Sequence, residues 1–130
     1  MSAQKNEIVF IYLLSLRSCL RRVWNYLLYL YDYKVTRMSR DINEKIITYL
    51  KRFNPERIGV FGSYAREEDT PQSDIDILID FSDPVSLFDL GGIKYDLTEI
   101  LNRPVDIVTG RSLNVRIRKY VIRDLKIIFG

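Results

Sequence analysis

The chain has 130 residues, 47% hydrophobic and 28% charged, with one Cys, no His and a formal net charge of +3. That length suits one domain with a modest core, and the composition is that of a folded rather than a disordered chain. With no His, Ser-His-Asp and Cys-His catalysis, His-ligated zinc and a His general base are excluded, and Cys19 alone can form neither an internal disulfide nor a thiolate cluster. Catalysis must therefore rest on carboxylates, hydroxyls, Lys or Arg, any metal must be a hard ion held by oxygen, and a reducing cytoplasm is the expected location.

The charge is unevenly spread. Residues 1–37 carry six Lys/Arg against two Asp/Glu, and residues 38–130 carry 14 against 15. The basic balance thus belongs to the N-terminal segment. The rest lacks the clustered cations of a nucleic-acid footprint, so no direct nucleic-acid binding is expected.

Residues 8–31 are apolar and aromatic, but the uncharged run Ile8–Leu16 is far shorter than the roughly 20 residues of a membrane span. Leu16, Leu20, Val23, Trp24, Leu27 and Leu28 recur at the spacing of one helix face, with Arg17, Arg21 and Asn25 opposite. Residues 1–37 therefore read as an amphipathic helical extension that packs on the body or on a partner, in preference to a helix lying on a membrane surface. The change of composition at Met38 also reads as an alternative start, and residues 38–130 read as the domain proper.

Asp41 with Glu44 forms a capping box that predicts a helix start, with Ile42, Ile46, Ile47, Leu50 and Phe53 as its buried stripe, ending near Asn54-Pro55. Arg57–Phe61 predicts a strand that stops at Gly62-Ser63, with a short helix from Tyr64 to Glu68. Residues 70–73 predict a turn, and Asp74–Phe81, DIDILIDF, a strand of strict alternation. Leu87, Leu90, Ile93, Leu97, Ile100 and Leu101 mark a helix weakened by Gly91 and Gly92. Pro104–Val108 predicts a third strand, residues 113–125 a last helix and Lys126–Phe129 an edge strand. The class is α/β (α+β), a small mixed sheet with helices packed on it.

Alternation places Asp74, Asp76, Leu78 and Asp80 on one face of the DIDILID strand and Ile75, Ile77 and Ile79 on the other, toward the core. Carboxylates two residues apart on one face can converge on a divalent ion, and Asp106 in PVDIV is a third strand-borne acid of the same polarity. On their own these are three solvated acids, since D-x-D is common by chance. Upstream, Gly62 lets backbone come close to a ligand, the helix start favours an anion, and Ser63 adds a hydroxyl. No Gly-Lys-Ser/Thr follows, so this is not a P-loop.

Together these residues spell G-S-x10-D-x-D followed by Asp106. The run GVFGSYAREEDTPQSDIDILIDF, with SLFDLGGIKYDLTEILNRPVDIVT and SLNVRIRKYVIRDL downstream, resembles the minimal nucleotidyltransferases of the DNA polymerase β-like superfamily, from Met38 to the C-terminus. The resemblance implies an ATP- and Mg²⁺-dependent transfer of AMP. Gly62 and Ser63 would lie against the terminal phosphates, and Asp74, Asp76 and Asp106 would hold two Mg²⁺ ions. Asp106 would accept the proton of the attacking hydroxyl, Ser73 would orient Asp74, and Arg66 is a weaker candidate for phosphate contact. It further implies an antitoxin paired with a HEPN-domain ribonuclease toxin, in a hetero-oligomer, whose Tyr hydroxyl accepts the AMP. The alternatives are a non-catalytic antitoxin that neutralises by stoichiometric complex formation, and transfer to a small molecule or an RNA end. One departure stands out: Glu67, followed by Glu68 and Asp69, occupies the place where family members commonly carry Gly, and adds negative charge near the phosphates.

Overall fold

The computed structural model describes residues 2–130, with side chains from Cys19 onward. Along the chain run helix α1 (Ser2–Leu50), a 3-10 turn (Lys51–Phe53), β1 (Pro55–Phe61), α2 (Gly62–Ala65) and β2 (Ile75–Phe81). There follow α3 (Leu87–Leu101), β3 (Val105–Thr109), α4 (Val115–Asp124) and β4 (Lys126–Phe129). The four strands form one sheet of order β3-β2-β1-β4, antiparallel except for the parallel β2–β3 pair that α3 connects.

The chain divides into two compact units, Met1–Arg40 and Asp41–Gly130. In the first, most described apolar residues are exposed: Leu20, Val23, Trp24, Leu27 and Leu28, expected to share a packed face, are each about half exposed or more, and so are Tyr26, Tyr29, Tyr31 and Tyr33. Leu16 and Arg17 lie outside the residues with described side chains. Among the described residues no helix is long and apolar enough to cross a membrane.

The expected helix start at Asp41 is corrected by the structure. Asp41 lies inside α1, where it pairs with Lys45 one turn on at 3.0 Å rather than capping. The reason is local: residues 2–50 contain neither Gly nor Pro, so no residue there stops the helix. It ends at Leu50, and the 3-10 turn that follows closes where Asn54 adopts a left-handed conformation (φ 52°) and Pro55 opens β1.

In the second unit one face of the sheet carries the core. Ile58 and Val60 of β1, Ile75, Ile77 and Ile79 of β2 and Val105 of β3 pack against Ile42, Ile46 and Leu50 of α1 and Ile93 and Leu97 of α3. Each such fully buried side chain is worth about 1.5–3 kcal/mol. α3 starts on a complete capping box: Asp89 N–H donates to Ser86 Oγ, and Asp89 Oδ2 accepts from Ser86 N–H. Gly91 and Gly92 are accommodated within it. The alternation of β2 is less strict than expected, because Leu78, between Asp76 and Asp80, is also buried.

Candidate active site

β1 runs into a sharp turn at Gly62, whose φ of +70° is the left-handed conformation that glycine adopts without a Cβ clash. A side chain there would also strike a carboxylate oxygen of Asp76, so the Gly62 backbone lies directly against that acid. The register explains the contact, since Phe61 is the cross-strand partner of Asp76 in the antiparallel β1–β2 ladder. On its other side Asp76 is in register with Asp106 of parallel β3. Neighbouring strands lie about 4.8 Å apart, so two acids of like charge sit side by side.

Their electrostatics follow. The Asp76 carboxyl is pushed above the ordinary range, first by burial, then by the negative charges of Asp106 and Asp74. Asp106 Oδ1 accepts a hydrogen bond from Lys94 Nζ of α3 at 2.7 Å, and this bond holds the Lys94 ammonium more firmly charged than usual. A cleft of about 330 Å³ opens beside the pair, lined among others by Phe61, Asp76, Asp106, Asn114, Ile117 and Val121. A larger cavity, about 510 Å³, lies at the other end of β2 around Asp80 and Thr109.

The residues singled out from the sequence are thus distributed unevenly. Gly62, Asp76 and Asp106 meet at one point, and Asp74, exposed and just ahead of the first β2 residue, is near enough for its charge to bear on Asp76. Ser63 is the second residue of α2. Ser73 faces elsewhere: its Oγ accepts from Thr70 N–H at 2.9 Å and lies 3.0 Å from Thr70 Oγ1, closing the turn before Asp74. Arg66 is occupied by Glu68 (2.8 Å) and Asp124 (2.6 Å).

The departure at Glu67 has a backbone meaning. Glu67 adopts φ 61°, the left-handed region that a glycine would enter freely, and its carboxylate reaches Lys126 of β4 at 3.4 Å. Its acidic neighbours are matched as well, Glu68 by Arg66 and Asp69 by Arg103 at 2.8 Å. Two cations went unremarked in the sequence, Lys94 and Arg103. Nothing in local periodicity marks either, because each acquires its partner only when distant segments meet.

Among the described residues no group of three or more His, Cys, Asp and Glu side chains stands ready to hold a metal ion. The donor set nevertheless has the right chemistry for one. Asp76 and Asp106 lie side by side, Asp74 is near enough for its charge to bear on Asp76, and Mg²⁺ takes one or two carboxylates together with substrate phosphate oxygens and water.

Comparison with known proteins agrees with this geometry. A family model, the nucleotidyltransferase domain, matches residues 43–128. Protein adenylyltransferase MntA of Thermococcus cleftensis is 41% identical over 75 residues, covering 58% of this chain and 76% of the relative. A solved toxin-antitoxin with AMP-PNP superposes with a TM-score of 0.63 at 28% identity over 68% of this chain and 73% of that one. A solved complex of a tri-AMPylated Shewanella oneidensis HEPN toxin with an MNT antitoxin gives 0.60 at 26% identity, over 71% and 72%. The Gly62 turn, the strand-borne acids and the matched span lead to one conclusion: the chain belongs to the nucleotidyltransferase family, enzymes that transfer a nucleotidyl group from a nucleotide substrate.

Proposed function

We propose that the chain is a cytoplasmic protein adenylyltransferase that moves AMP from ATP to a hydroxyl, a Tyr being favoured, of a cognate HEPN ribonuclease toxin, and so acts as its antitoxin. The observation that carries the reading is the contact of the Gly62 backbone with Asp76 while Asp76 lies in register with Asp106. It brings a phosphate-accommodating turn and paired carboxylates to one point. The relatives' activity and toxin partners support the choice of donor and acceptor.

In this reading Gly62 and Ser63 would receive the terminal phosphates, and Asp74, Asp76 and Asp106 would hold Mg²⁺. When bound, Mg²⁺ offsets the negative charge that gathers on the phosphate oxygens. The acceptor oxygen forms a bond to the α-phosphorus as the bond to the pyrophosphate oxygen breaks, and the hydroxyl proton passes to Asp106. Lys94 donates to Asp106 in this structure, and Asp106 would have to leave that pair to hold the ion. Ser73 shapes the turn that delivers Asp74.

The direct test is transfer of label from α-³²P-ATP with Mg²⁺ to the HEPN protein encoded beside this chain. Label on that partner, lost with Asp76→Asn, is expected. A stable complex without label would favour stoichiometric neutralisation instead.

A further inference from the structure

Asp76 and Asp106 owe their positions to the sheet, because both lie within paired strands. Asp74 does not. It precedes Ile75, the first residue of β2, it is exposed, and among the described residues no side chain donates a hydrogen bond to its carboxylate. A ligand-bearing residue outside the ladder needs some other anchor, since a shift of even 0.5 Å degrades such a site.

That anchor is visible on both sides of residue 74. On one side, the Ser73 carbonyl accepts from Arg103 Nη2 at 2.9 Å and from Arg103 Nε at 3.3 Å. On the other, Ile75 N–H donates to the Pro104 carbonyl at 2.9 Å. Two consecutive residues of the α3–β3 connection thus grip the two neighbours of Asp74. Arg103 is the one buried charged residue among those described, 8% exposed, and it also binds the Thr70 carbonyl (3.0 Å) and Asp69 (2.8 Å).

We propose that Arg103 is the positioning residue for Asp74: its guanidinium ties the 69–73 turn to the start of β3 and thereby holds the Asp74 carboxylate beside Asp76. The proposal rests on the reading of Asp74 as a metal-holding acid. The choice of residue has a physical logic. Several acceptors converge on one side chain, which a planar fork with five N–H donors can satisfy and a Lys point charge cannot. A buried cation is costly to keep where packing alone is needed, and removing it here would orphan two backbone carbonyls as well as Asp69.

The test uses the full chain, with Mn²⁺ as the probe in the presence of AMP-PNP and binding followed by electron paramagnetic resonance. Arg103→Lys keeps the charge and loses the fork. If it melts within a few degrees of the unaltered chain, it is expected to bind Mn²⁺ about tenfold more weakly, with kcat for AMP transfer down about 10- to 100-fold and KM for ATP changed less. Asp69→Asn removes the ion pair and leaves the Ser73 contact, so Mn²⁺ affinity stays within about twofold of the unaltered chain on the same reasoning.

A folded Arg103→Lys that binds Mn²⁺ normally, beside an Asp74→Asn that binds it weakly, would overturn the role of Arg103 and leave the reading of Asp74 standing. Normal Mn²⁺ binding by Asp74→Asn would sink that reading, and this proposal with it. Equal weakening in Asp69→Asn and Arg103→Lys would refute the Ser73 anchor in favour of the Arg103–Asp69 ion pair. If the Lys variant does not fold, hydrogen exchange on the unaltered chain decides. Slow exchange at the Arg103 Nε and Nη hydrogens, which make the Ser73 contact, supports the anchor, and exchange as fast as at the exposed arginines refutes it.

Discussion

Asp76 and Asp80 are two positions of one strand, four residues apart, and their surroundings are opposite. Asp80 stands across from Arg57 of β1, which donates to it from Nε at 2.9 Å and also from Nη2, while Gly110 N–H donates to its other oxygen at 3.0 Å. Asp76 stands beside Asp106, with Asp74 close by, and its carboxyl is pushed up by burial and by both charges. Each acid also lies against a glycine whose Cβ would collide with it, Gly62 at one end and Gly110 at the other, so tight packing does not tell them apart. The lesson is that an acid alone does not mark a site. At Asp80 the cross-strand pairing neutralises charge and stabilises the sheet; at Asp76 it sets like charges side by side, at a cost in stability.

The comparison can be broken most decisively at Asp76. Asp76→Asn is expected to cut AMP transfer by on the order of a thousandfold, about 4 kcal/mol of barrier, and at the same time to stabilise the fold by about 0.5–2 kcal/mol. Label transfer and thermal unfolding on the same preparation check both halves; a variant that loses activity by melting earlier would contradict the account. Asp80→Ala should do the reverse. It strands Arg57 and the Gly110 N–H and costs about 1–3 kcal/mol in urea unfolding, while transfer under folded conditions stays within about threefold.

Glu67 asks whether a third acid belongs with Asp80 or with Asp76. Its left-handed backbone and its Lys126 partner place it with Asp80, so Glu67→Gly should stabilise by about 0.5–1 kcal/mol and leave KM for ATP unchanged. A severalfold fall in KM would move it into the other class.

The smallest effect concerns Asp89. The Ser86 hydroxyl, then the Ser86 backbone N–H, hold its carboxyl below the ordinary range. An acid lowered in the folded state contributes stability that is present above its unfolded pKa, about 3.9, and lost as pH falls through the folded value. Ser86→Ala, expected to cost about 1 kcal/mol at neutral pH by chemical denaturation, should flatten the acid limb of the stability profile below about pH 4.

Most of what recurs locally was legible without a structure. Alternation in DIDILIDF identified β2, helical spacing identified α3 and α4, and among the residues of G-S-x10-D-x-D and Asp106 the structure sets Gly62 against Asp76 and Asp76 beside Asp106. Where local signals misled, a longer-range condition won. Asp41 looked like a cap but has helix on both sides. Leu78 broke the expected alternation because it is buried too.

What the sequence by itself determined, then, was the set of elements, the acids and the turn, because periodicity and spacing act over a few residues and are written in their order. Which acid is neutralised and which is left exposed to like charge was decided only in the tertiary structure. Arg57 and Asp80 are 23 residues apart, Gly110 and Asp80 30, and Arg103 and Ser73 30. No local rule connects such residues; strand register and the burial of one guanidinium do.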